Sequence, residues 1–194
     1  MKPLSVILAS ASPRRVELLR QVVATFEVVP SAAAEVHDDQ LTAWEMAQVN
    51  AYRKARVVAK KFPDAIVLGA DTLVYLDRET KLFGKPADRA EAAQMLAGLE
   101  GRVHAVITGV CLLHLHSHRQ RVFAEWTDVK FHPLSAAQIR DYLSLINPLD
   151  KAGAYAIQEH GERIVAEISG SYSNVVGLPL ERVREELRAW QSAI

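Results

Sequence analysis

The sequence predicts an α/β chain built on a mixed sheet, and three observations carry that reading. Strand-like and helix-like apolar patterns alternate along the chain; two long strand-like runs flank the short polar stretch Ser117 to Gln120; no internal repeat or linker-like segment interrupts the order. At 194 residues and 49% apolar content, the chain is long enough for one well-buried domain spanning residues 1–194.

Each element has its own signal. Leu4 to Ala9 is an apolar run of strand length. Ser12 stands where a helix cap belongs, Pro13 suits the first helical position, and Val16, Leu18, Leu19 and Val22 begin an apolar helical pattern, so a helix is expected over 13–24. A strand follows at Phe26 to Pro30, then a helix from Thr42 to Lys61 with Trp44, Ala47, Ala51, Ala55 and Val58 on its inward face. Strands are expected at Ala65 to Ala70 and Thr72 to Leu76, and a helix at Arg89 to Leu99. The hairpin pair covers Val103 to His116 and Val122 to Phe131, the second alternating through Val122, Ala124 and Trp126 and, after a slip, Val129 and Phe131. A helix over 136–146 buries Ile139, Tyr142, Leu143 and Ile146; a strand over 163–168 precedes a last helix over 180–189 that buries Leu180, Val183, Leu187 and Trp190.

Charge narrows the function classes. Lysine and arginine total 23, as do aspartate and glutamate, so the balanced chain lacks the basic footprint of a nucleic-acid binder. The lone Cys111 lies in an apolar run, reads as a small core residue and suits a reducing compartment. The N-terminal apolar stretch is too short for a signal peptide and runs directly into two arginines, and nowhere do about 18 apolar residues follow one another. A soluble, cytoplasmic protein without membrane partners is expected.

Several polar residues stand where apolar ones would be cheaper. Arg14 and Arg15 occupy the first turn of a helix, whose dipole is already positive and whose third position favours Glu or Gln. A polyanionic ligand at the helix N-terminus would offset their repulsion; a salt bridge to acids elsewhere in the fold would serve as well. Asp71 interrupts "AIVLGADTLVYL" and must meet a cation, a metal or water, unless Asp71 and Thr72 simply make a tight turn. Lys54 lies on the inward face of its helix, where it either snorkels or meets an anion. Lys85 sits in the turn "FGKPA", Glu35 follows the soft "PSAAA" stretch, and "PLDKAGAYAIQ" carries Asp150, Lys151 and Gln158 around a glycine turn. Together the cations Arg14, Arg15, Lys54, Lys85 and Lys151 would span a triphosphate, with Glu35 and Asp71 holding Mg²⁺, an ion that takes one or two carboxylates plus phosphate oxygens. No Walker A or G-x-G-x-x-G pattern is present. "HLHSH" aligns His114, His116 and His118 as for a metal, but near a hairpin tip and away from acids they read as surface residues.

"ASASPRR", Glu35, "YRKA", "GADT", "GKP", "DKAGAYAIQ" and "GSYSNVVGLPL" occur in the order and spacing of the Maf family of nucleoside triphosphate pyrophosphatases, which the chain resembles from Ile7 to about Glu186. The resemblance implies a fold like the inosine triphosphatase superfamily: a mixed, elongated sheet flanked by helices, two lobes around a cleft, commonly in a homodimer. It implies hydrolysis of a nucleoside triphosphate to the monophosphate and pyrophosphate, with a divalent metal cation, Mg²⁺ or Mn²⁺. On that resemblance Asp71 matches the family's catalytic proton acceptor, beside Lys54 and Lys85 as catalytic cations. Ser10, Arg14, Arg15, Thr72, Lys151 and Gln158 match substrate-binding positions, Arg14, Thr72 and Gln158 being those linked to substrate choice. Glu35 and Asp71 match the metal site. The spellings "SPRR", "GADT" and "DKAGAYAIQ" resemble the branch acting on dTTP and UTP rather than the 7-methyl-GTP branch, with modified pyrimidine nucleotides as further candidates. Asn147 stands where relatives often carry an acid, which implies a weaker or differently built metal site. The rival class is a nucleotide-binding cell-division regulator without turnover.

Overall fold

The computed structural model describes residues 5–76 and 81–192, with only the helical backbone at 191 and 192. Leu4, the expected start of the first strand, lies outside the described residues. In chain order the elements are β1 (Val6–Leu8), α1 (Pro13–Arg20), β2 (Glu27–Val28), α2 (Ala43–Ala59), β3 (Ile66–Leu76), β4 (Lys81–Phe83), α3 (Arg89–Leu99), β5 (Val103–His114), β6 (Arg119–Phe131), α4 (Ala136–Leu145), β7 (Val165–Ser169), α5 (Tyr172–Val176) and α6 (Leu180–Ser192). The strands form one seven-stranded sheet in the order β2-β1-β3-β5-β6-β7, with β4 also on β3. Pairing is mixed, as the sequence predicts: β1 runs parallel to β2 and β3, whereas β3 with β4 and β6 with β7 are antiparallel. Among the described residues no helix is long and apolar enough to cross a membrane.

The described residues fall into two compact units. The first comprises residues up to Asp71, Thr108–Glu125 and those from Gly177 onward; the second comprises Thr72–Ile107 and Trp126–Val176.

The first unit owes its packing to small residues. Helix α2 starts at Thr42, whose hydroxyl accepts from Glu45 N at 3.2 Å while the Glu45 carboxylate accepts from Thr42 N at 2.9 Å, a reciprocal cap. Its inward face, with Ala47, Ala51 and Ala55 fully buried, lies over β1, β3 and β5, together with Val67 and Cys111. Two glycines let the helix backbone approach the sheet. A Cβ on Gly69 would stand 2.3 Å from Ala51 O, and one on Gly109 would stand 2.2 Å from Ala47 O. Gly109→Ala therefore has no room and is expected to cost about 3 kcal/mol or more, read as a lowered urea midpoint, or to prevent soluble folding. Burial pushes the Cys111 thiol up to about 12, so it fills space as a small apolar residue and is unreactive at neutral pH.

The second unit packs α3 and α4 on the sheet around Leu96, Leu99, Phe131 and Tyr142. Ser135 and Gln138 cap α4 reciprocally, and Asp88 caps α3 by accepting from Glu91 N at 2.8 Å. His104 is buried here, with Nε2 2.9 Å from the Tyr155 hydroxyl and its ring edge-on to Phe131. Burial pushes its imidazole down from the ordinary 6.5 to about 4. Between those values the unfolded chain takes up a proton that the folded chain refuses. The contribution is complete above pH 6.5 and lost as pH falls towards 4, about 3 kcal/mol from this one histidine. Urea unfolding followed from neutral to acidic pH should show that loss, and His104→Phe should flatten it.

Several expectations shift at element ends. Helix α1 stops at Arg20, before the β-branched pair Val22 and Val23 that was expected inside it. The expected strands at 65–70 and 72–76 are one continuous β3 that runs through Asp71 without a turn. Trp44 lies in the first turn of α2 and is exposed rather than inward. The three hairpin histidines share no face: β5 ends at His114, which is buried with Nδ1 2.8 Å from Ser117 Oγ, while His116 pairs with Asp64 outside. The inward faces expected for α4 and α6 are buried as predicted, Tyr142, Leu143, Val183 and Trp190 among them.

Candidate functional site

The chemistry of the first unit converges on Asp71. The residue is 3% exposed in the middle of a sheet strand, so an unmatched carboxylate there would be costly. Two side chains of α2 match it. Lys54 Nζ donates to Oδ1 at 2.5 Å, and Asn50 Nδ2 donates to Oδ2 at 3.1 Å. Asn50 and Lys54 are one helical turn apart and so share the face that Gly69 brings down onto β3. Lys54 also donates to Glu35 Oε1 at 2.7 Å, so one ammonium joins two carboxylates and does not merely snorkel. Glu35 is held by its neighbour: Val36 N donates to Asn50 Oδ1 at 2.7 Å, and Asn50 Nδ2 donates to Val36 O at 3.2 Å.

The paired arginines belong to the same electrostatic neighbourhood. Ser12 takes the cap position of α1, but its hydroxyl makes no cap hydrogen bond; buried Ser10 instead accepts from Ser12 N at 3.2 Å. Arg15 is half-buried and its Nε donates to Gly177 O at 2.9 Å. Burial lowers the pKa of its guanidinium, the Asp71 and Glu35 charges raise it, and Arg14 lowers it. A guanidinium remains a cation through such shifts. Ser10, Arg14, Arg15, Glu35, Lys54 and Asp71 are therefore all in the first unit, where the Arg15 guanidinium feels the charges of Asp71 and Glu35 and the Lys54 ammonium joins the two acids.

The remaining expected residues lie in the second unit. Thr72 directly follows Asp71 and, by strand alternation, leaves β3 on the opposite face. Lys85 is exposed in the turn after β4, and Gly84 O accepts from Gly153 N at 3.0 Å, which sets that turn beside the loop of Lys151. There Gly153 and Ala154 both adopt positive φ, 69° and 63°, and a Cβ on Gly153 would meet Val74 at 3.0 Å. Lys151 is buried; its ammonium donates to Asn147 O at 2.7 Å and Asp150 Oδ1 at 2.9 Å and forms an ion pair with Glu159 Oε1 at 3.4 Å. Asn147 Oδ1 accepts from Leu149 N at 3.3 Å and so shapes the same turn. Gln158 is exposed.

Sequence reasoning missed Asn50. The available signal was a buried-face amide four residues before Lys54 in an otherwise apolar stripe. Among the described residues no three His, Cys, Asp or Glu side chains gather where they could hold a metal ion. The two acids that do converge share a single cation, a donor set that suits a divalent ion completing its shell with phosphate oxygens.

Comparison with known proteins bears on what this constellation serves. A protein of Symbiobacterium thermophilum named dTTP/UTP pyrophosphatase is 51% identical over 183 residues, covering 93% of this chain and 91% of its own. One of the same name from Carboxydothermus hydrogenoformans is 44% identical over 188 residues, covering 96% and 99%. The fold is also that of a Ham1 protein from Staphylococcus aureus, with a TM-score of 0.57 at 14% identity over 95% of this chain and 98% of that one. A HAM1 protein from Coxiella burnetii gives a TM-score of 0.53 at 13% identity, over 96% and 100%. Residues 5–190 match the family model described as Maf-like protein, and the chain belongs to that family.

Proposed function

We propose that the chain is a nucleoside triphosphate pyrophosphatase that hydrolyses dTTP and UTP to the nucleoside monophosphate and pyrophosphate in the cytoplasm. The observation that carries this reading is the Asp71–Lys54–Glu35 cluster in a chain whose relatives, at 44–51% identity over more than nine tenths of its length, bear the name dTTP/UTP pyrophosphatase.

In this reaction water attacks the α-phosphorus, the bond to the bridging oxygen breaks, and pyrophosphate departs. Charge spreads over the phosphate oxygens, so fixed positive groups and a group that orients the water supply most of the catalysis. Asp71 takes that second role: held at one oxygen by Lys54 and at the other by Asn50, its carboxylate has a defined orientation before substrate arrives. A carboxylate is a weak base at neutral pH, so its task is to position water and accept the proton as the bond to phosphorus forms. Arg14, Arg15 and Lys54 neutralise phosphate charge, with Ser10 two residues before the cap of α1. Glu35 and Asp71 would hold Mg²⁺ or Mn²⁺, which when bound supplies Lewis-acid stabilisation of the phosphate oxygens. On the family resemblance Lys85 is proposed as a further catalytic cation, and Thr72 and Gln158 as further substrate contacts. Lys151, bonded to Asn147 O and Asp150 and paired with Glu159, shapes its loop in this reading.

The test is a panel of ordinary and modified nucleoside triphosphates, each with purified protein and Mg²⁺ or Mn²⁺, read as pyrophosphate and monophosphate formed. dTTP and UTP should lead. Preference for 7-methyl-GTP would overturn the substrate, and nucleotide binding without pyrophosphate release would overturn the activity.

A further inference from the structure

We infer that Asn50 is a positioning residue whose single amide fixes both the rotation of the Asp71 carboxylate and the placement of Glu35; the inference rests on the reading of Asp71 as the group that handles the attacking water. Asn50 is 1% exposed in the interior of α2, where the neighbouring buried positions are the apolar Met46, Ala47 and Ala51. Asparagine is a poor helix former, and a buried amide is tolerated only when its hydrogen bonds are made. Here they are made, one with Asp71 and two with Val36, the residue next to Glu35. The two Nδ2 protons go to Asp71 Oδ2 and Val36 O, and Oδ1 accepts from Val36 N. The network fixes the amide's orientation, since a flipped amide would set its oxygen against the carboxylate and its NH₂ against the Val36 N–H.

Two consequences follow from that geometry. With Oδ2 committed to Asn50, the other oxygen of Asp71 is delivered to Lys54, so the carboxylate cannot rotate away from the ammonium. With both backbone polar groups of Val36 fastened to α2, the adjacent Glu35 is kept within reach of the same lysine, one helical turn further on. A loop with little regular structure thereby gains a fixed distance to a strand. Catalytic groups need their supports placed in this manner, because small displacements of a reacting group cost large factors in rate.

The test compares Asn50→Ala and Asn50→Asp in pyrophosphate release from dTTP, with thermal unfolding followed in parallel. The alanine variant should lose about 10–100-fold in kcat, as outer partners of catalytic groups typically do, while KM stays within about threefold. Asn50→Asp has the same size and still accepts from Val36 N, but it turns an oxygen towards Asp71; its kcat should fall at least as far. A folded variant with wild-type kcat, or one impaired only through KM, overturns the inference. Should the alanine variant fail to fold, the isosteric aspartate decides by the same split between kcat and KM. Asp71→Asn assayed alongside separates the two readings. Wild-type turnover in Asp71→Asn would remove the role of Asp71 itself, whereas an inactive Asp71→Asn beside a fully active Asn50→Asp would remove only that of Asn50.

Discussion

Replacing Asp71 by asparagine is expected to lower kcat for dTTP by about 10²–10⁴-fold, the range that a positioned acid or base contributes, with KM changed far less. The variant keeps the shape of the carboxylate, and the strand that carries it is largely buried, so the fold should persist. The amide brings a donor where the wild type has only acceptors. Turned towards Lys54, the new NH₂ faces an ammonium; turned the other way, it faces the Asn50 NH₂. Either arrangement loses one hydrogen bond to a charged group, worth about 2 kcal/mol, or roughly a 4–8 °C fall in Tm for a chain of this size. Dissociation of nucleotide measured by calorimetry should stay close to wild type, because the phosphate-facing cations are untouched. Retained turnover in the purified variant would end the assignment.

The parts of this fold that were legible in the sequence are those where one residue type contradicts its surroundings. Asp71 was conspicuous because a carboxylate inside an apolar strand has to be matched, and Lys54 because it lies on an apolar helix face; the structure places each as the other's partner. The pair Arg14 and Arg15 was legible as an anomaly, but the anchoring of Arg15 on Gly177 O was not, since a contact between residues so far apart in the chain leaves no periodic trace. Asn50 was overlooked because one neutral amide hardly disturbs a helical pattern. The partners of Lys151, Asn147 O, Asp150 and Glu159, come from the turn around it and leave no periodic trace in the sequence. The strand β4 has three residues and the helix α5 has five, too few for a period to emerge. The continuity of β3 escaped because Gly69 and the Asp-Thr pair read as turn chemistry, whereas Gly69 is there for the close passage of α2.

Lys54→Met removes the ammonium while keeping most of the apolar stem, and it tests whether one lysine holds the two acids together. In the wild type the Lys54 side chain is 14% exposed, that of Asp71 5% and that of Glu35 36%. Withdrawing the cation leaves a nearly buried carboxylate with the Asn50 amide as its hydrogen-bond donor and a second carboxylate at the same point, with Arg15 in the same neighbourhood. Breaking a fully buried pair from one side costs about 3–5 kcal/mol; because Glu35 is partly solvated, about 2–4 kcal/mol is the fitting range here. That loss should appear as a urea midpoint well below wild type. Turnover should fall by at least about 10²-fold, since charge on the transferring phosphate loses a fixed donor. The decisive comparison is the response to metal. Two acids without a resident cation should bind Mn²⁺ more tightly than two acids already sharing one, so Mn²⁺ should raise the Tm of Lys54→Met more than that of the wild type, by linkage. Metal would then restore stability without restoring the rate, because a lysine that only held the acids could be replaced by an ion, whereas one that also meets phosphate could not. Equal Mn²⁺ shifts in the two proteins would mean that the acids do not form a cation site. A Mn²⁺-treated variant with full turnover would confine Lys54 to a structural role.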